Sequence, residues 1–128
     1  MCLTGNFAIS LMADEAVLAG VASQPSMPLM RPADLHMSPE EIAGARDRLT
    51  EHGPMLAMRF AEDKLCTAEK FDALRQKFND DGERIRLVEL PGKGHSVLTL
   101  DFIKRNEVTQ EAFNSVLEYF DSRLKTGA

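Results

Sequence analysis

Gly53-Pro54-Met55-Leu56-Ala57-Met58-Arg59-Phe60-Ala61-Glu62-Asp63 is the stretch whose reading decides the fold. Gly53 and Pro54 stop whatever helix comes before them, and the apolar run Met55-Leu56-Ala57-Met58-Arg59-Phe60 is too short to be a helix of its own. It reads as a strand, with Glu62 and Asp63 just past its end. Upstream, Ser38-Pro39-Glu40-Glu41 combines an N-cap serine, a proline at the first helical position and a glutamate that can reach back in a capping box. The helix that starts there carries Ile42, Ala45 and Leu49 along one face. Downstream, Thr67 can cap a helix whose buried face is Phe71, Leu74 and Phe78, ending in turn residues 79–82. A strand between two helices is the unit from which a parallel sheet is built.

The same alternation continues on both sides. Arg84-Ile85-Arg86-Leu87-Val88-Glu89-Leu90 alternates enough to suggest a strand at a sheet edge with one wetter face. The loop Pro91-Gly92-Lys93-Gly94-His95 follows it, and Thr109 is expected to cap a last helix striped by Phe113, Val116, Leu117, Phe120 and Leu124. Before the central unit, Phe7, Ala8, Leu11 and Met12 recur at helical spacing over residues 5–13, and Val17-Leu18-Ala19-Gly20-Val21-Ala22 reads as a strand covered on both faces. Pro25, Pro28 and Pro32 exclude regular structure from residues 24–37, a long loop in which Met27, Leu29 and Met30 offer an adaptable apolar lining. The order predicts an α/β fold: one domain over residues 1–128, with a three-stranded, mostly parallel sheet and flanking helices.

Composition agrees with a folded domain and excludes several classes of partner. Of 128 residues, 44% are hydrophobic and 27% charged, which is far from the signature of disorder. A formal charge of −5, a pI near 5.2 and the lack of a clustered Lys/Arg stripe argue against nucleic acid. No apolar stretch approaches a membrane span, and Met1 is not followed by a signal sequence, so the expected location is cytoplasmic, with Cys2 and Cys66 as reduced thiols. Cys66 is expected to be a packing residue. His36 and His52 do not have the spacing of a zinc site.

In an open parallel sheet, side chains at the carboxyl ends of the strands converge on one crevice. Three chemically capable residues fall at such positions: Cys2 on a turn that opens the first helix, Asp63 after the Met55 strand, and His95 after the Arg84 strand. A thiol with an ordinary pKa of about 8.5 needs a base or a cationic partner to act as a nucleophile near neutrality, and His95 can be either. Asp63 would then hold the imidazole in the useful tautomer, and the Leu3 backbone N–H would donate to an oxyanion. Thr4 and Gly5 are small enough for a sharp turn around Cys2.

Cys2-Leu3-Thr4-Gly5-Asn6-Phe7-Ala8, Arg59-Phe60-Ala61-Glu62-Asp63 and Gly94-His95-Ser96-Val97 together resemble the carboxyl-terminal half of dienelactone hydrolase family proteins, α/β-hydrolases with a cysteine nucleophile. The resemblance covers essentially the whole chain. It implies a partial α/β-hydrolase fold in which Cys2 is the nucleophile, Asp63 the acid and His95 the base. It further implies a small-molecule ester or lactone as substrate, water as the second substrate, and no cofactor. The chain departs from the family pattern where the small residue two positions before the nucleophile would fall at position zero, and is therefore read as a fragment. The arginines with which family members hold a substrate carboxylate have no counterpart near His95, the next arginine being Arg105, so the substrate stays open.

Two other readings compete. The chain could be a truncated, non-catalytic α/β fragment stabilised by self-association through the apolar edge of its first strand, and a homo-oligomer is expected in any case. Alternatively, the methionine-lined loop could serve a small-molecule binding module.

Overall fold

The computed structural model describes residues 1–26, 31–104 and 107–125. Its elements run α1 (Cys2–Leu11), β1 (Val21–Ser23), α2 (Pro39–His52), β2 (Met55–Phe60), α3 (Ala68–Phe78), β3 (Ile85–Leu90), α4 (Leu100–Ile103) and α5 (Glu107–Leu124). The strands form one open sheet in the order β1-β2-β3, parallel throughout, with Ala22 opposite Ala57 and Ala57 opposite Leu87. The fold is mixed α/β, as the sequence predicts.

β2 is central because it has a partner on each edge, and all six of its residues are buried. Its side chains alternate between two cores, as a pleated strand requires. Met55 and Ala57 pack with Ile9, Ala45, Leu49, Phe71, Leu74 and Phe78, beneath α1, α2 and α3. Leu56, Met58 and Phe60 pack with Val97, Ala112, Val116 and Tyr119, beneath α5. That two-sided burial is why the run reads as continuously apolar. β3 lies at an edge, and its Arg86 and Glu89 are exposed.

The Ser38 capping box forms in full: Glu41 N–H donates to Ser38 Oγ at 3.1 Å, and Ser38 N–H donates to Glu41 Oε2 at 2.7 Å. Thr67 occupies the N-cap position of α3 without a side-chain capping bond.

Four expectations need correction. The first strand is shorter and later than residues 17–22, because the backbone before it is engaged elsewhere: Gly20 N–H donates to Tyr119 Oη, and Arg123 donates to Leu18 O, each at 3.2 Å. The first helix starts at Cys2 and buries Gly5, Asn6, Ile9 and the following Met12, while Phe7 and Leu11 are 47% and 56% exposed. Close approach sets that face, since a Cβ on Gly5 would lie 2.9 Å from Ser23 O of β1. Thr109 lies within α5 and is fully buried, so it is not the cap. In that helix Ala112, Val116 and Tyr119 are buried with it, whereas Leu117 and Leu124 of the expected stripe are exposed. The short helix α4 had no periodic signal because it is a single turn. Met27, Leu29, Met30 and Arg105 lie outside the described residues.

Candidate active site

Asp63 and His95 follow the carboxyl ends of β2 and β3, and Cys2, which opens α1, is bridged to Pro25 just past the carboxyl end of β1. Cys2 sits at the start of α1 with φ of +50°, in the left-handed region that costs a non-glycine residue about 1 kcal/mol or more. Neighbouring backbone over-determines this turn: Cys2 forms a parallel bridge with Pro25, and Ser26 N–H donates to Cys2 O at 3.1 Å. The half-buried Cys2 Sγ lies 3.2 Å from Ser26 Oγ.

Asp63 occupies the turn after β2, where Asp63 N–H donates to Phe60 O at 3.1 Å. Its side chain is fully enclosed. Oδ1 accepts from Leu65 N–H at 2.8 Å and from Cys66 N–H at 3.0 Å, which leaves Oδ2 to His95 Nδ1 at 2.7 Å. Arg59 braces this turn from below. Its buried guanidinium donates to Cys66 O at 2.7 Å and to Ala61 O at 2.9 Å, and it pairs with Glu89 at the sheet edge.

His95 follows Gly94, where a Cβ would come within 2.6 Å of the Phe60 ring. Asp101 then fixes the His95 backbone, its Oδ2 accepting from His95 N–H at 3.2 Å and from Ser96 N–H at 2.9 Å. With Nδ1 committed to Asp63, the other ring nitrogen, Nε2, is buried and has no hydrogen bond of ordinary geometry among the described residues. The imidazole and the thiol nevertheless act on each other. Partial burial pushes the Cys2 thiol up, but the pull of the Ser26 hydroxyl, His95 and the Leu3 N–H outweighs it and leaves the pKa below the ordinary value. Burial pushes His95 down, and the attraction of the nearby Cys2 thiol and of the hydrogen-bonded Asp63 carboxylate outweighs that in turn, so its pKa is raised. Opposite shifts of this kind favour a thiolate beside an imidazolium. A cavity of about 520 Å³ opens beside His95, between the turn at Glu62 and Leu65 and the loop at Lys93 and Gly94.

No family model and no curated protein matches the chain. The geometry therefore carries the chemical argument.

All four residues singled out in the sequence lie in this region: Asp63 and His95 are hydrogen-bonded, His95 and Cys2 act on each other electrostatically, and the backbone N–H of Leu3, next to Cys2, helps to lower the thiol pKa. His36 and His52 make their hydrogen bonds elsewhere, His36 with Asp34 and His52 with Arg48. Three features were not foreseen. Ser26 contacts the sulfur, Asp101 holds the His95 loop, and Lys70 braces α1. Ser26 lies three residues past β1, so the rule that strand ends carry the site would have reached it had the strand been placed correctly.

Lys70 is fully buried, and its ammonium donates to Asn6 Oδ1 and Asp34 O, while Asn6 Nδ2 donates to Leu35 O at 3.0 Å. Burial lowers its pKa to about 8, against opposing charges on Cys66 and Asp34. Cys66 is a buried packing residue, as expected, and burial together with the Asp63 charge pushes its thiol up to about 12. These two groups have opposite linkage. Between about 8 and the ordinary 10.5, the unfolded chain holds a Lys70 proton that the fold has released, so stability rises with pH. Between the ordinary 9.0 and about 12, the folded chain keeps a Cys66 proton that the unfolded chain loses, so stability falls. Denaturant unfolding of Lys70→Met is expected to show a flatter rise than wild type between pH 8 and 9. Equal slopes in the two proteins would refute the burial of a charged Lys70.

Proposed function

We propose that this chain is a hydrolase of the dienelactone hydrolase type, cleaving ester or lactone bonds through Cys2, His95 and Asp63. The observation that carries the reading is the 2.7 Å contact of Asp63 Oδ2 with His95 Nδ1, supported by mutual attraction between His95 and Cys2 that lowers the pKa of the thiol and raises that of the imidazole. Asp63 accepts a hydrogen bond from Nδ1–H and so keeps Nε2 free to take the thiol proton. The Cys2 thiolate attacks the substrate carbonyl, and the adjacent Leu3 N–H donates to the developing oxyanion. The imidazolium returns its proton to the leaving alkoxide. Water, activated by His95, then cleaves the acyl-Cys2 thioester. A reduced nucleophilic thiol suits a reducing, cytoplasmic setting. Among the described residues no helix is long and apolar enough to cross a membrane.

The test is hydrolysis of p-nitrophenyl acetate by the purified chain beside Cys2→Ala and His95→Ala. Activity that disappears in both variants supports the reading, and equal rates in all three proteins refute it.

A second reading, self-association without turnover, draws on the surface of α1. Leu3, Phe7 and Leu11 are 43%, 47% and 56% exposed at helical spacing, and Leu18, 65% exposed, lies just before the edge strand β1. A second copy would cover such a stripe and pair such an edge. Phe7→Glu is expected to shift the chain from dimer to monomer in sedimentation equilibrium, and a wild-type chain that is monomeric at all concentrations rules the reading out.

A further inference from the structure

The sulfur of Cys2 has a neighbour that the acid–base chain does not use. Ser26 is only 1% exposed, and its Oγ lies 3.2 Å from Cys2 Sγ. Its backbone is tied to the same residue, through Ser26 N–H to Cys2 O at 3.1 Å, and the bridge between Cys2 and Pro25 fixes the register of the two segments. The backbone therefore holds Ser26 beside the sulfur, with its side chain out of water. While Cys2 carries its proton, either partner can donate in this contact. Once the sulfur is ionised only Ser26 can.

We propose that Ser26 is a fourth functional side chain of the site, donating a hydrogen bond from its hydroxyl to the Cys2 thiolate and holding Sγ in line with the substrate carbonyl. The inference rests on the hydrolase reading above. It gives Ser26 a task at two points of the cycle. In the free protein, His95 Nε2 takes the thiol proton, and Ser26 and the Leu3 N–H receive the charge left on sulfur. In deacylation, water attacks the thioester carbonyl, His95 takes the water proton, the C–S bond breaks, and its electron pair returns to a sulfur that already faces the Ser26 hydroxyl. A neutral donor is useful here because it keeps its proton throughout, while His95 must give its own away to the first leaving group.

The test is the pH dependence of iodoacetamide labelling of Cys2, followed by peptide mass with Cys66 as internal reference, in wild type, Ser26→Ala, Ser26→Thr and His95→Asn. Alkylation forms no oxyanion, so it reads the thiolate alone. Loss of one hydrogen bond to a charged group should slow labelling of Ser26→Ala at pH 7 about tenfold and move the midpoint up by about one unit. Ser26→Thr should stay near wild type, and thermal unfolding should show both variants folded. A wild-type midpoint in Ser26→Ala overturns the proposal, as does a loss that Ser26→Thr shares in full. If His95→Asn shifts the midpoint and Ser26→Ala does not, only the Ser26 inference fails. If the reverse holds, the acid–base reading fails and Ser26 stands. Slow, equal labelling of wild-type Cys2 and Cys66 overturns both.

Discussion

Replacing either Cys2 or His95 by alanine is expected to lower kcat/KM for p-nitrophenyl acetate by about 10⁴-fold or more. In the proposed mechanism, Cys2→Ala removes the atom that bonds to the acyl group, and the covalent route goes with it. His95→Ala leaves the sulfur but takes away the base, the imidazolium beside the thiolate and the proton for the leaving group. Because the two act as a unit, the double variant should be no slower than the worse of the single ones. Steady-state hydrolysis by the four proteins checks this, with a burst of p-nitrophenolate in wild type as the mark of an acyl-enzyme. A double variant that loses the product of the two single effects would show that Cys2 and His95 work independently, against a shared mechanism.

Asp63→Asn should cost about 10²- to 10⁴-fold in kcat while leaving the fold nearly intact. The asparagine carbonyl can still accept from the Leu65 and Cys66 N–H groups that now bond to Oδ1, so the turn after β2 keeps its shape. What changes is the group facing His95. An amide NH₂ in place of Oδ2 obliges Nδ1 to accept, which puts the imidazole proton on Nε2, where a thiol proton can no longer be taken up. The imidazolium also loses the carboxylate that stabilises it. Kinetics paired with thermal unfolding separates the two roles: full activity in a folded Asp63→Asn would make this carboxylate a purely structural acceptor.

Much of the architecture was legible because local signals agreed with one another. Ser38, Pro39 and Glu41 place the start of α2 unaided, and the capping box they form is made of residues three apart. β2 was readable for a different reason. An apolar run bounded by Gly53-Pro54 and by acidic residues has few other fates than a central strand, and with β2 placed, Asp63 and His95 fall just past strand ends. Their meeting across 2.7 Å follows from the parallel topology.

The misread elements share one cause, which is that their outcome depends on a distant partner. Phe7 and Leu11 have the spacing of a buried stripe, yet Gly5 against Ser23 O and Asn6 against Lys70 turn the other face of α1 inward. β1 is clipped by Tyr119 and Arg123, about a hundred residues away in the chain, which take the backbone groups of Gly20 and Leu18. Thr109 resembles a cap only until it is found buried inside α5.

By itself, then, the sequence determined the class of fold and the centre of the sheet, and it nominated Cys2, Asp63 and His95 as candidates, because strand length, helix caps and residue type are local properties. Only the tertiary structure decided which face of α1 is buried, how the loops of Asp63 and His95 are braced by Arg59 and Asp101, and that Ser26 touches the Cys2 sulfur. Those are distances between segments remote in the chain, set by close packing and by where buried polar groups find partners, and neither is written in any single stretch of residues.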